Sequence, residues 1–316
     1  MLRYTLTRTL QAIIVIAIMS FMLFMIIGLM PGDPLDNMFE GNPSLTPELM
    51  AQMRELYGVD QPITTRYWNW VTAAMQGDLG YSSLYFRPVL DVLFPAMVQT
   101  AKLLGLTLLI SIPLAMVLGT IASRKPNGLI DSAIGVFSFA AISLPNFWVS
   151  LLFIILFSVK LGWLPASGAP MRNDASVWLE MYHLILPVSV LVMFHVGPLI
   201  RYVRAAMIET LSADFVRTAR AKGLNERAVL IRHALRNALI PMVTVLALSF
   251  GHLFSGALVI ETIFGMLGMG KIIYDAIANV DFNLALVGLL LAIIVVLISN
   301  LLADLAYGLI DPRITL

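Results

Sequence analysis

The sequence predicts an all-α, polytopic membrane protein with six transmembrane helices. Three observations lead there. Of 316 residues, 59% are hydrophobic and only 12% charged, where soluble domains carry about 25% charged residues, and mean hydropathy is +0.88. The apolar residues gather in six runs close to the ~20-residue length that crosses a bilayer. The segments between the runs differ in the sign of their charge, as loops on opposite sides of a membrane do.

The first run, 9–32, carries no charge. Arg3 and Arg8 precede it as in a signal peptide, but the run is much longer than a signal core and no A-x-A site follows, so 1–32 reads as a retained first helix. Residues 33–97 read as an extracytoplasmic segment with short helices. Ser44-Leu45-Thr46-Pro47-Glu48 is a helix start with Pro47 in the first turn, and Leu49, Met53 and Leu56 follow at helical spacing. Tyr67, Trp68 and Trp70 suit a membrane interface. Residues 98–308 hold the other five helices, over 103–123, 132–159, 184–200, 237–260 and 282–303. The fourth helix extends toward Met207 with Arg201 and Arg204 snorkelling. Residues 309–316 form a cytoplasmic tail. Pro113, Pro145, Pro187, Pro198 and Pro241 fall within or at the ends of runs, and each removes a backbone donor. Their kinks either shape packing or serve as hinges. The chain shows no convincing internal repeat of the kind common in secondary transporters.

Charge sets the sidedness. Segment 201–236 holds eight basic residues against three acids, a net of +5, and Arg124 and Lys125 mark the loop after the second run. Segment 33–91 has eight acids and three arginines, a net of −5, and 261–281 is also acidic. Basic loops stay in the cytoplasm, so 124–131, 201–236 and both termini are expected inside.

The stretch Phe264-Gly265-Met266-Leu267-Gly268-Met269-Gly270-Lys271-Ile272 comes within one residue of a phosphate-binding loop. Such a loop needs a Ser or Thr hydroxyl for Mg²⁺ after the lysine, and Ile272 has no oxygen. Gly265, Gly268 and Gly270 are read instead as an outer, re-entrant turn between the fifth and sixth helices, where backbone packs closely.

Chemistry within the membrane is sparse. Ion- or proton-driven pumps bury ionisable groups in their spans, whereas here His195 and His252 sit in apolar runs, with Asp304 near the end of the sixth. Each histidine is either a hydrogen-bonded packing group or a substrate contact. With no Cys, no H-E-x-x-H and no G-x-S-x-G, no catalytic residue, metal site or cofactor is expected, nor is nucleic acid. The energy source is expected on another polypeptide.

Segment 209–241, "ETLSADFVRTARAKGLNERAVLIRHALRNALIP", carries the most information. Asp214 can cap a short helix that Gly223 ends, and Val216 and Ala219 form a small-residue face suited to a partner's groove. A second amphipathic helix follows, with Ala228, Ile231 and Leu235 on one side. On charge alone the segment is equally a basic loop lying on lipid headgroups.

Here the chain resembles the permease subunits of ATP-binding cassette importers of the peptide/nickel type, specifically the first, B-type subunit. Those permeases carry an E-A-A-x-x-x-G loop. Counting back from Gly223, this chain reads Arg217-Thr218-Ala219-Arg220-Ala221-Lys222-Gly223, with Arg and Thr in place of the Glu and first Ala. "MPGDP" at 30–34, "YGVDQPITTRYWNW" at 57–70, "GDLGYS" at 77–82, "SLPNFW" at 143–148, "ETIFGMLGMGKIIYDAI" at 261–277 and "LADLAYGLIDPRI" at 302–314 are similar to that branch too.

The resemblance implies a non-catalytic half of an importer in a prokaryotic cytoplasmic membrane. Its partners would be a second, C-type permease, two cytoplasmic ATPase subunits, an extracytoplasmic solute-binding protein and membrane lipid. The EAA-type coupling loop would span 208–236. Within it Asp214, Phe215, Arg217, Thr218, Ala219, Arg220, Ala221, Lys222, Gly223 and Leu224 would contact the ATPase. The cargo implied is a di- or oligopeptide, with nickel chelate, glutathione or another small solute as alternatives. A self-contained channel or secondary transporter is the reading from another class.

Overall fold

The structure is a computed structural model that describes residues 2–29, 61–170, 176–238 and 256–310. The helix expected from Ser44, the "MPGDP" stretch, Pro241, His252, the C-terminal tail beyond 310 and most of the fifth run lie outside them. The described chain is almost wholly helical. It divides into two compact units, one formed by 100–266 with 299–316, the other by 2–99 with 267–298.

In the second unit, α1 (Leu2–Gly28) packs on α2 (Ile63–Met75). The contact is aromatic: Tyr67 is buried edge-on against Phe21 and Phe24, and its hydroxyl shares a 2.9 Å hydrogen bond with Ser20. Tyr67 is thus a core residue rather than the interfacial aromatic expected, while Trp68 is exposed. A small hairpin follows, β1 (Tyr81–Ser82) antiparallel to β2 (Arg87–Pro88). It leads into α3 (Val89–Ser123), whose first residues belong to the segment 33–97. Later in the chain come α10 (Met269–Ala278) and α11 (Phe282–Ile310). Asp281 joins these pieces. One of its oxygens caps α11 by accepting from the Leu284 N–H (3.1 Å), and the other accepts from the Ser82 hydroxyl and the Leu84 N–H (2.5 and 3.0 Å).

The first unit is built around α6 (Val177–Ser212), which is buried along most of its length. Against it lie α4 (Leu129–Ser143) and α5 (Asn146–Phe153), the latter continuing with π-type winding over Ile154–Lys160. α7 (Asp214–Ala221) follows α6, and then α8 over 226–238. α9 covers 256–263. Leu184, Leu186, Val190 and Leu191 of α6 form one core with Leu103, Val149, Ile260 and Phe264.

Among the described residues, four helices are long and apolar enough to cross a membrane: Leu6–Gly28, Val89–Ser123, Val177–Ser212 and Phe282–Leu302. Four of the six expected runs coincide with them. The run 132–159 is not one straight helix, because α4 and α5 meet at a 104° bend. Pro145 has no N–H to continue α4, and it pushes Leu144 into extended backbone (φ −80°, ψ 138°).

Candidate functional site: the hairpin of α7 and α8

The local sequence specifies this hairpin at each corner. Ala213 is extended (φ −72°, ψ 149°) and α7 begins at Asp214. Asp214 therefore does not cap the helix with its side chain, as the sequence suggested. It occupies the first turn, where a negative charge suits the positive end of the helix dipole, while Arg220 and Lys222 lie at the opposite end.

Gly223 stops the helix with φ +79°. Its N–H donates to Arg220 O (2.9 Å) and that of Leu224 to Ala219 O (3.3 Å), the paired bonds of a Schellman stop. Asn225 at once caps the next helix, its side chain accepting from the Ala228 N–H at 2.7 Å. A two-pronged ion pair from Arg220 to Glu226, at 2.8 and 3.3 Å, spans the corner.

The packing of α7 corrects the expected small-residue face. Val216 and Ala219 are buried against Val229 of α8, with Leu211 alongside, so they hold the hairpin together and offer nothing to a partner. Outward stand Asp214, Phe215, Arg217, Thr218 and Arg220, with Ala221, Lys222 and Leu224 also exposed. This is a basic knob with apolar Phe215 and Leu224 at its ends.

α8 also differs from expectation. Val229, Leu230, Ala234 and Ala238 are buried, while Ile231 is 54% exposed. Helical spacing gives this segment a second apolar stripe at 230, 234 and 238, and it is that stripe which is buried, along a stretch with π-type winding over Val229–Leu235. Leu230, Ala234 and Ala238 enter one cluster with Val203 and Met207 of α6 and Ala115 of α3. The knob is thus joined through packed side chains to two long apolar helices.

The glycines of the expected outer turn play three different parts. Gly265 ends α9 with φ +63°. Its N–H bonds Thr262 O (3.3 Å) and that of Met266 bonds Glu261 O (2.8 Å), a second Schellman stop. Gly268 is the extended residue before α10, and Gly270 lies buried within α10. A helix, not a strand, precedes the near-phosphate-loop stretch, and Lys271 pairs with Asp275 at 2.7 Å.

Comparison with known proteins places the chain in a family. Residues 111–316 match the family "binding-protein-dependent transport system inner membrane component". The chain belongs to that family. Residues 1–102 match the family's N-terminal membrane component. Over 316 residues this family member is 36% identical to a putative peptide permease protein of Brucella suis biovar 1 (strain 1330), with 99% of each chain covered. It is 33% identical to the oligopeptide transport system permease protein AppB of Bacillus subtilis (strain 168), again with 99% of each covered. A probable peptide ABC transporter permease of Sinorhizobium fredii (strain NBRC 101917 / NGR234) is 34% identical over 312 residues, with 98% of each covered.

Sequence reasoning missed three polar groups. Glu261 and Asp281 look like solvated acids of an outer loop, yet both are buried, and Glu261 accepts from the Thr100 hydroxyl at 2.5 Å. Asp131 is also buried, and Arg204 grips it with two bonds of 2.5 and 2.7 Å. Each acid borders an apolar run, and only the third dimension shows the partner that replaces water. His195 is nine-tenths buried, and among the described residues its Nε2 meets no hydrogen-bond partner.

Proposed function

We propose that this chain is the B-type permease subunit of an ATP-binding cassette importer for di- or oligopeptides. It crosses the membrane six times, with both termini inside, 33–97 outside and 98–308 forming a five-helix permease domain. A C-type permease completes the pathway, two ATPase subunits bind on the cytoplasmic side, and a solute-binding protein delivers cargo from outside. The peptide permeases among its relatives support the choice of cargo.

The observation that carries the mechanism is the α7–α8 hairpin. Its corner is closed by two caps and an ion pair, its inner face is packed, and α8 is anchored on α6. An ATPase that grips the outward face of 214–224 moves a rigid lever. The lever shifts the long helices between outward- and inward-facing states, a two-state change biased by ATP and by the loaded binding protein. Gly265 and Gly268, at the end of α9 and the start of α10, bracket the corresponding turn on the outer side.

The test separates backbone from side chain at Gly223. A Cβ there meets nothing within 4 Å, so only the left-handed φ opposes substitution. In the reconstituted complex, Gly223→Val uncouples ATP hydrolysis from transport or releases the ATPase, whereas Gly223→Asn, which tolerates this conformation, retains both. Wild-type coupled transport by Gly223→Val overturns the proposal.

A further inference from the structure

Three helices of the first unit leave their uncharged stretches at one level. α6 has no Asp, Glu, Lys or Arg between Glu180 and Arg201, α4 has none after Asp131, and α3 has none between Lys102 and its end at Ser123. The helices are fastened together at that level. A Cβ on Gly119 of α3 would lie 2.7 Å from the Val203 side chain, and Arg204 is clamped to Asp131. Asp131 also accepts from the Asn127 N–H at 2.7 Å. This is the expected position of a boundary between hydrocarbon and water.

Arg204 is neutralised there. Arg201, nearly one turn earlier on α6, is not: it is exposed and meets no carboxylate among the described residues. Its guanidinium lies over the Phe139 ring, 4.7 Å from the centroid, which orients the group and leaves its N–H edge free. Both arginines line a cleft of about 930 Å³. Asn127, Asp131, Ser132 and Tyr202 also line it, and the apolar part of the wall is made chiefly by Val136, Phe139 and Ile142 of α4 and Pro198 of α6. Val136 is 70% exposed. These α4 residues lead away from the charged level, so the cleft has a cationic mouth and an apolar trough. Arg124 and Lys125 line a neighbouring cleft that shares Asp131, which adds positive field at the mouth.

We propose that this cleft is a binding site for one anionic phospholipid. Arg201 donates to the headgroup phosphate, and an acyl chain lies along Val136 and Ile142. Free phosphate gains nothing from the trough, and a lipid with no net charge gains little from the field. The site does not depend on the cargo or on the ATPase contact.

The test is native mass spectrometry of the purified importer complex, titrated with dioleoylphosphatidylglycerol or dioleoylphosphatidylcholine. The wild type retains a tightly held phosphatidylglycerol, and R201Q weakens it about fivefold, the worth of one cation at a charged headgroup layer. F139A weakens it too by releasing the guanidinium, and phosphatidylcholine, whose choline cancels the phosphate charge, is held more weakly by the wild type and loses less in both variants. Equal phosphatidylglycerol retention by wild type and R201Q in intact complexes overturns the site, as does displacement by inorganic phosphate. So does a cross-link from V136C to the companion permease, which would place protein rather than lipid over α4.

Discussion

Val280 sits at φ +54°, where a β-branched residue is strained. It occupies the left-handed position of a third Schellman stop: its N–H bonds Ile277 O (3.3 Å) and that of Asp281 bonds Ala276 O (2.8 Å). The stop aims Asp281 back at the β1–β2 hairpin while it caps α11. Left-handed backbone costs an L-residue about 1–2 kcal/mol, so Val280→Gly raises the thermal unfolding midpoint of the purified protein. An unchanged or lower midpoint contradicts the strain. Ala219 works the other way, since it fills a closed space beside Val216 and Val229. Ala219→Trp overpacks that space at a cost of about 1–3 kcal/mol, splits α7 from α8 and lowers coupled transport; unchanged protease resistance of the hairpin would count against it. Gly223 and Gly265 could be read from sequence because glycine announces a left-handed turn. Val280 could not, because nothing in a valine signals positive φ, and the buried acids could not, because a carboxylate is normally solvated.

At the scale of elements, two departures from the expected pattern have different causes. Helical spacing alone leaves two apolar stripes on α8, 228/231/235 and 230/234/238, and packing against α6 and α3 selects the second. Pro145 marks a break legibly, but the 104° bend depends on how α4 and α5 each pack against α6. Asn225 sits at the corner of the hairpin, satisfying an otherwise orphaned N–H of α8. Asn225→Ala removes that cap at a cost of about 1 kcal/mol, frays the start of α8 and speeds amide exchange at 226–229, while Asn225→Asp preserves both. Equal exchange in wild type and Asn225→Ala shows that the cap contributes nothing.

For the whole molecule, the membrane class and four apolar helices follow from composition and run length, because a bilayer demands about 20 apolar residues whatever the packing. The proposed coupling role draws on geometry because charge counts alone are ambiguous: a basic loop on headgroups and a basic knob on an ATPase have the same composition. Sidedness is testable first. The chain has no native Cys, so single cysteines replacing exposed Gln76 and Lys222 label from opposite faces of the membrane, and labelling of both from one side refutes the topology. The most direct test of the lever is a cross-link. In the assembled complex, Lys222→Cys carrying a short photo-activated probe links to an ATPase subunit, and the yield changes between nucleotide-free and ATP-bound states. An intact complex in which that probe reacts only with lipid, whatever nucleotide is present, contradicts the coupling role of α7.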